Sequence, residues 1–395
     1  MIRLERYSKE SVETVSLSGR SCLFIVPGRL DRLTGGSIYD KRLVDHLTSL
    51  GVRVDVASLP DLSYFAGWFA GLIAGPYLSA RLLARRYDLV ITDAWAHTTL
   101  ALFFLFCQLP RRRRPVVVLI VHQLRSVDVK NSAARRVAEA LERRALSAAD
   151  SIITVSRFMR DSVERLTGGR APVTIAPPGC DSLEATAPVM EKTARDSSRD
   201  RLRLLFVGNC MRRKGLDHLI AALSLLKDVD LKIDAVGSVA CDSRYYRELL
   251  CQSRRLGVED RITFRGRVSD ERLAEFYARA DLFVMPSSYE GFGIVYAEAM
   301  RAGLPIIAAD SGPAREIVEA GGNALVVRAA DPTALAEAIR ELATDVRKRE
   351  RFARRSLELA AQLPTWEAMC EQVSNTLCRL LRRPGEAHSE RNDSR

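Results

Sequence analysis

The sequence lacks the patterns by which cysteine marks an oxidising compartment or a structural metal site. Its 395 residues include eight cysteines and five histidines, without a Cys-x-x-Cys pair or a Cys–His cluster. Reduced thiols are therefore expected rather than disulfides or zinc. The first 19 residues are charged and have no apolar core, which argues against a secretory signal peptide. Together these absences predict a cytoplasmic protein.

Aromatic residues are also scarce. Phe, Trp and Tyr make up 7% of the chain, and no motif of a DNA-reading or RNA-binding module is present. Nucleic acid is therefore the least favoured partner, although the net charge of +11 is strongly basic. Most of the basic excess lies before residue 185. It could serve an anionic membrane surface or anionic substrates.

What the sequence does contain is a strand–helix alternation that occurs twice. Short apolar runs such as 22–26 and 116–121 alternate with amphipathic patterns, and the alternation starts again at 202–207. This order is typical of doubly wound parallel sheets, so an α/β fold is expected. The intervening stretch 182–199 is polar and rich in Ser, Ala and Pro, which indicates a boundary. The predicted parts are two Rossmann-like domains over 1–182 and 200–363, a helix over 364–382, and a disordered tail over 383–395.

One strand-to-helix junction of the second half carries the clearest chemistry. The apolar run Leu282–Met285 is followed by a Gly-x-Gly bend that opens a helix at Ile294. Glycines let the backbone approach a ligand, and the first amides of a helix have no internal partner, so the bend suits a phosphate. Glu290 and Glu298 lie on either side of the bend, and each carboxylate can accept two hydroxyls of a diol. The stretch predicts a nucleotide-sugar pocket.

The same stretch resembles the donor site of retaining GT-B glycosyltransferases, in particular glycosyltransferase family 4. The resemblance rests on the Glu-x7-Glu pattern, the core Glu290-Gly291-Phe292-Gly293 and the following Ala302-Gly303-Leu304-Pro305, and it extends over nearly the whole chain after residue 20. It implies the GT-B fold, in which two Rossmann-like domains face each other across a cleft and the C-terminal helix crosses back to the first. It also implies transfer of a hexosyl unit from a nucleotide diphosphate sugar to an acceptor hydroxyl, with retention of configuration.

The resemblance assigns roles to individual residues of the second half. It places Lys214 on the donor phosphates, Glu290 on the sugar hydroxyls and Glu298 on the ribose diol. The arginine of the family's phosphate loop is Asn209 here, so Arg212 or Arg213 is expected to supply the missing cation. The expected donor-binding residues are Gly36, Gly208, Asn209, Arg212, Arg213, Lys214, Gly237, Arg267, Val268, Glu290, Gly291, Phe292, Gly293, Ile294 and Glu298. The expected catalytic residues are Glu290, His122 and Lys214.

Strand ends in the first half add further polar side chains. His122 directly follows the apolar strand 116–121, and the resemblance places such a histidine at the floor of the cleft, facing the donor sugar. A structural histidine bonded to a neighbouring carbonyl stays open. Asp93, His97 and Arg125 are expected on the acceptor side, because ligands of open α/β sheets bind at the carboxyl edge. No Asp-x-Asp stands at a strand end, so neither a metal nor a cofactor is expected.

The stretch Leu62–Ala80 is unusual because it has no charge and carries five aromatic residues. Glycines and a proline interrupt it, so a packed helix or hairpin is favoured over a membrane span. Arg81, Arg85, Arg86 and the run 111–114 border apolar segments, as in interfacial proteins. The first half is therefore expected to lie against the inner face of an anionic membrane and to take a lipid-linked acceptor. A buried helix and a solvated loop are the alternative.

Two other functions remain compatible with the same sequence. Asparagine at position 209, where the resembled family has arginine, would suit a catalytically silent GT-B subunit that binds a nucleotide sugar and partners another enzyme. A nucleotide-sugar epimerase of the same fold would convert the donor without an acceptor.

Overall fold

Two parallel sheets form around the strand patterns of the two halves of the sequence, as predicted. The computed structural model describes residues 17–31, 34–59, 70–71, 75–78, 80, 87–98, 100, 114–129, 132–181 and 201–382. These residues divide into two units, the first from 17 to 178 together with the C-terminal helix and the second from 179 to 365. The predicted linker 182–199 and tail 383–395 lie outside the described residues, so the domain bounds stay predictions.

The first unit is built on six parallel strands in the order β2-β1-β3-β4-β5-β6. The strands are β1 (Ser21–Pro27), β2 (Arg53–Leu59), β3 (Leu89–Asp93), β4 (Val116–Val121), β5 (Ser151–Thr154) and β6 (Val173–Ile175). The helices are α1 (Gly35–Ser49), α2 (Ser132–Ser147) and α3 (Arg157–Thr167). All residues of β3 and β4 are buried, as expected for central strands of a parallel sheet that is covered on both faces. Short 3-10 helices, Ala94–Thr98 and Arg125–Asp128, follow these two strands.

The second unit repeats the architecture with the order β12-β11-β10-β7-β8-β9. Its strands are β7 (Leu202–Val207), β8 (Leu231–Val236), β9 (Ile262–Gly266), β10 (Leu282–Met285), β11 (Ile306–Ala309) and β12 (Ala324–Val327). Its helices are α4 (Leu216–Ser224), α5 (Ser243–Leu256), α6 (Asp270–Arg279), α7 (Ile294–Arg301), α8 (Ala314–Ile317), α9 (Pro332–Thr344) and α10 (Val346–Ala360). The chain order reverses between β7 and β10, which pair in parallel. Such a switch point is where open α/β sheets bind ligands.

The C-terminal helix α11 (Trp366–Leu381) packs in the first unit. The ring of Trp366 meets the ring of Tyr39 edge-on, with centroids 6.3 Å apart, and the guanidinium of Arg42 lies over the same indole. Farther along, Gln372 Nε2 donates a hydrogen bond to the carbonyl of Ile175 at 2.5 Å. Because Trp366 and Tyr39 are both buried, this helix completes the core beside α1.

The last arginine of the run 111–114 is internal. Only 9% of the Arg114 side chain is exposed, and its two terminal nitrogens bind the carboxylate of Asp150 at 2.6 and 3.1 Å. Asp150 also accepts from the amide of Val117. The interpretations of Arg114 as part of a membrane-facing patch or of a solvated loop are therefore wrong, because a buried ion pair holds it against the sheet.

Arg81, Arg85, Arg86, residues 111–113 and most of Leu62–Ala80 lie outside the described residues. No helix in the described part of the chain is long and apolar enough to cross a membrane.

Candidate functional site

The Gly-x-Gly bend lies between β10 and α7, where the sequence predicted it. Gly293 precedes the first residue of α7 with φ of 91°, a left-handed conformation that strains other residues. A Cβ at this position would also lie 2.6 Å from the ring of Tyr296. The backbone and the packing therefore both require glycine here. No side chain caps the start of α7. The amide of Tyr296 donates to the carbonyl of Gly293, so the earlier amides, at Ile294 and Val295, are the ones that suit an anion.

Lys214 and Glu290 meet at the switch point between β7 and β10. Lys214 Nζ lies 2.5 Å from Glu290 Oε1, and the two side chains are only 12% and 7% exposed. Burial lowers the pKa of Lys214, while the charge of Glu290 opposes it. Burial acts to raise the pKa of Glu290, but Lys214 and then Arg213 outweigh it, and the net direction is down. The fold thus brings two predicted catalytic residues, 76 positions apart, into one ion pair.

Of the two arginines expected to replace the family's cation, Arg213 lies beside this pair. Its Nη1 donates to the carbonyl of Tyr289 at 3.1 Å and lies 3.8 Å from Glu290 Oε2. The backbone carbonyl of Arg213 in turn accepts from the amide of Ser288 at 2.7 Å. These bonds tie the loop after β7 to the loop after β10.

Arg212 is engaged elsewhere. Its guanidinium lies 4.9 Å from the ring centre of Tyr245 and pairs with the carboxylate of Glu248, both on α5. The structure therefore separates two neighbouring arginines that the sequence could not distinguish.

Asn209, which stands where the family has arginine, has a structural partner. Its Oδ1 accepts from the amide of Ser238 at 3.0 Å, which joins the loops after β7 and β8. Gly237, which directly precedes Ser238, has a φ of 146°. A Cβ at Gly237 would be 2.1 Å from the carbonyl oxygen of Gly208. The close approach of these backbones explains Gly237, whereas a Cβ at Gly208 would make only ordinary contacts, the nearest 3.4 Å from the ring of Phe206.

Glu298 is partly buried on α7 and has one protein partner that sequence reasoning missed. Tyr277 donates from its hydroxyl to Glu298 Oε2 at 2.7 Å. Burial raises the pKa of Glu298 to about 7, and the bond from Tyr277 acts in the opposite direction. Tyr277 is the one buried residue of α6. Its place on the inner face of an amphipathic helix was readable from the sequence, but its partner was not.

Further residues expected to bind the donor lie after β9 and in the glycine bend. Arg267 is exposed and Val268 is half-buried, directly after β9. Gly291 is buried and Phe292 packs partly against the core of the second unit. Their assignments to the base and the phosphates stay predictions.

In the first unit, His122 stands at the carboxyl end of β4. Its Nε2 lies 3.0 Å from Oδ1 of Asp40, a residue on the buried face of α1 that sequence reasoning missed. A Cβ at Gly36 would lie 3.1 Å from the imidazole, so Gly36 lets α1 approach this ring. Burial lowers the pKa of His122, but Asp40 and then Asp93 outweigh it, and the net direction is up. The alternative, a structural histidine bonded to a neighbouring carbonyl, is wrong for Nε2, because Nε2 bonds to the carboxylate of Asp40.

Two of the three residues expected on the acceptor side, Asp93 and Arg125, contact the backbone of Trp95. Asp93 is buried at the end of β3 and accepts from the amide of Trp95 at 2.8 Å. Burial raises the pKa of Asp93 to about 6, against the charge of His122. Arg125 donates to the carbonyl of Trp95 at 3.2 Å and lies over its ring. The side chain of His97 lies outside the described residues.

The potential ligand atoms of Asp40, Asp93 and His122 all lie within 4.8 Å of one another, which is close enough for one cation to bridge them. Nε2 of His122 and Oδ1 of Asp40 are also within hydrogen-bonding distance of each other, at 3.0 Å. The expected absence of a metal stays a prediction.

Comparison with known proteins gives a consistent family. The model "Glycosyl transferase 4-like domain" matches residues 24–179, and "Glycosyl transferases group 1" matches 191–358. The D-inositol 3-phosphate glycosyltransferase of Xylanimonas cellulosilytica is 33% identical over 54% of this chain and 53% of its own. The GDP-mannose-dependent alpha-(1-6)-phosphatidylinositol monomannoside mannosyltransferase of Mycobacterium tuberculosis is 29% identical over 61% of this chain and 65% of its own. The chain thus spans between about half and two thirds of these relatives.

Among solved structures, Anabaena HepE in complex with UDP-glucose matches with a TM-score of 0.70 and 22% identity. The match covers 91% of this chain and 99% of that one. At this identity the likeness shows a shared fold.

Proposed function

The chain belongs to the GT-B glycosyltransferases of the family 4 type, and on that premise we propose that it transfers a hexosyl unit from a nucleotide diphosphate sugar to an acceptor hydroxyl. The observation that carries the proposal is the buried pair of Lys214 and Glu290 at the switch point, next to the uncapped start of α7. A cation and helix amides suit the diphosphate, while a carboxylate suits sugar hydroxyls. Both kinds of group therefore lie where one donor could contact them.

The proposed transfer needs positive charge beside the diphosphate, which is the leaving group. As the anomeric bond breaks, negative charge grows on the diphosphate, and preorganised donors aimed at that charge are the largest catalytic resource. Lys214, Arg213 and the amides of 291–294 would supply it. In the free protein Glu290 neutralises Lys214 at 2.5 Å. Donor binding would therefore divide the pair, with the lysine turning to phosphate and the carboxylate accepting sugar hydroxyls.

The nucleoside end of the donor would be held by Glu298. This carboxylate lies within α7 and keeps one oxygen on the hydroxyl of Tyr277. A carboxylate has two oxygens and about four acceptor positions, so it can still take the two hydroxyls of a ribose. Tyr277 would then set the direction in which Glu298 faces the diol.

The finer parts of the proposal concern the anomeric outcome, the metal, the acceptor and the cellular location. Retention of configuration and independence of a metal are taken from the family resemblance. A lipid-linked acceptor at the inner face of an anionic membrane is supported by the basic excess of the first half, and the name of the mycobacterial relative specifies a phosphatidylinositol glycoside as its acceptor. Cytoplasmic placement is proposed from the scattered cysteines, which suit a reducing compartment.

The test is to incubate the purified chain with a panel of nucleotide diphosphate sugars, chosen first by the rise in melting temperature that each causes. Nucleoside diphosphate released only in the presence of an acceptor supports transfer. The anomeric configuration of the product, read by NMR, decides retention. Donor binding without release would indicate a silent subunit, and conversion of the donor without an acceptor would indicate an epimerase.

A further inference from the structure

The imidazole of His122 is held on several sides by the first unit. Asp40 lies 3.0 Å from Nε2, and the ring of Tyr39 meets the imidazole edge-on with centroids 5.0 Å apart. Gly36 packs against the ring, since a Cβ there would lie 3.1 Å from the nearest imidazole carbon, closer than an ordinary contact. The helix α1 therefore supplies three contacts, from Gly36, Tyr39 and Asp40, to the side chain that directly follows β4. A ring enclosed in this way has a defined orientation.

The contact with Asp40 also determines which ring nitrogen of His122 carries the proton in the neutral imidazole. Asp40 is 2% exposed, and a buried carboxylate needs a hydrogen-bond donor. In a neutral imidazole one nitrogen carries the proton and the other accepts. Since Nε2 faces the carboxylate, the proton belongs on Nε2 and Nδ1 becomes the acceptor. Within the described part of the chain, Nδ1 has no hydrogen-bond partner.

We propose that Asp40 is a positioning residue, which fixes the orientation and the Nε2–H tautomer of His122 so that Nδ1 accepts a hydrogen bond from a hydroxyl of the bound substrate. The role of the substrate hydroxyl rests on the proposed glycosyl transfer. The tautomer does not, because it is a property of the free protein.

Other charged groups face the same place and bear on its protonation. Asp93 at the end of β3 is buried near the ring, and Arg125 from the 3-10 helix that follows β4 acts on Asp93. Tyr39 is buried beside the ring, and burial raises its pKa well above the ordinary value. With the tyrosine neutral, the two carboxylates are the groups that favour a charged imidazole, and Asp40 is the one in direct contact.

The test is spectroscopic and uses the full chain without ligand. Long-range proton–nitrogen correlation of 15N-histidine resolves the tautomer of each ring, and five histidines give a readable spectrum. His122 is assigned with a His122→Gln variant. At a pH well above the pKa of His122, the wild type is expected to show the Nε2–H pattern. Asp40→Asn is expected to shift His122 towards the Nδ1–H pattern, since the new amide donates to Nε2, and to lower its pKa.

Asp45→Asn is the matched control. Asp45 lies on the same helix, is exposed and pairs with Lys41, so this substitution is expected to leave His122 unchanged. A wild-type Nδ1–H pattern, or an unaltered pattern in a folded Asp40→Asn variant, overturns the proposal. So does specific broadening of the His122 signals by added Mn²⁺, which would show that a cation joins the side chains.

A kinetic arm tests the substrate part separately. Asp40→Asn is expected to lower kcat/KM about tenfold, and to have little further effect in a His122→Gln background, because residues that act as a unit are not additive. Additive losses would mean that Asp40 acts independently of His122 and would overturn the positioning role. If no transfer is found with any donor, the proposed function fails while the tautomer result still stands.

Discussion

The hydroxyl of Tyr277 donates a hydrogen bond to Glu298 at 2.7 Å, which links α6 to α7 beside the uncapped helix start. Among the described residues this bond orients the carboxylate, and it lowers the pKa that burial raises. Its energy therefore bears on the ionisation of Glu298 and, through it, on donor binding.

Tyr277→Phe is expected to weaken donor affinity about tenfold, because a hydrogen bond to a charged group contributes roughly 1.5–3 kcal/mol. Isothermal titration with the donor found in the thermal screen measures the effect. Tyr246→Phe is the control, since Tyr246 lies in the same unit and packs against Phe264. Equal affinity of Tyr277→Phe and the wild type would remove Tyr277 from the site.

The ionisation of Glu298 predicts opposite pH dependences for stability and binding. Burial raises its pKa from 4.5 to about 7, so the folded protein holds this proton more tightly than the unfolded chain. The contribution to the free energy of unfolding is complete below pH 4.5 and is lost as pH rises through about 7. Donor affinity is expected to fall as pH drops below about 7, since the diol needs the carboxylate. Both pH steps are expected to disappear in Glu298→Gln, and a step that persists there belongs to another group.

Lys214→Ala is expected to reduce both turnover and stability. Loss of a preorganised electrostatic group costs about a hundredfold or more in rate. In addition, Glu290 would lose its buried ion partner, which costs about 3–5 kcal/mol of unfolding free energy. Single-turnover rates and urea unfolding measure the two effects.

The double variant Lys214→Ala with Glu290→Gln serves as the control for stability. It is expected to recover much of the unfolding free energy without recovering activity, because no buried charge is left unpaired. If the single variant is as stable as the wild type, the ion pair does not form in solution.

Arg213→Ala and Arg212→Ala form a matched pair of neighbouring substitutions. Arg213 lies beside Glu290, while Arg212 is paired with Glu248 on α5. We expect Arg213→Ala to lower kcat about a hundredfold and Arg212→Ala to lower it less than fivefold. The reverse order would show that Arg212 leaves Glu248 when the donor binds.

Vesicle flotation tests the membrane part of the proposal. Binding to anionic vesicles at low salt, lost at high salt, is expected if basic side chains of the first half face the lipid, because salt screens such charges over about 1 nm. Arg114→Ala is expected to lower the melting temperature without changing flotation, since Arg114 is buried against Asp150. Equal failure to float with neutral and anionic lipid would point to a soluble acceptor.

The sequence by itself determined the order of strands and helices, the glycine bend and the candidate residues around it. These features are local: apolar runs define buried strands, amphipathic spacing defines helix faces, and the strand Leu282–Met285, the bend and α7 are contiguous in the chain. The two-sheet α/β fold was predictable for the same reason, because repeated strand–helix alternation has few packed solutions.

Only the tertiary structure decided which of these residues touch. Lys214 reaches Glu290 because β7 and β10 pair at the switch point, and no periodicity in the sequence encodes that adjacency. In the sequence Asp40 is one polar residue on a predicted helix. The fold places it against His122, which lies 82 positions away and directly follows β4. The same holds for Arg114, which the sequence shows only as the last arginine of a charge run. Its partner in a buried ion pair, Asp150, lies 36 positions away. Strand pairing in a sheet joins residues that are far apart in the chain. The sequence therefore gives the identity of these side chains, and their contacts form only when the chain folds.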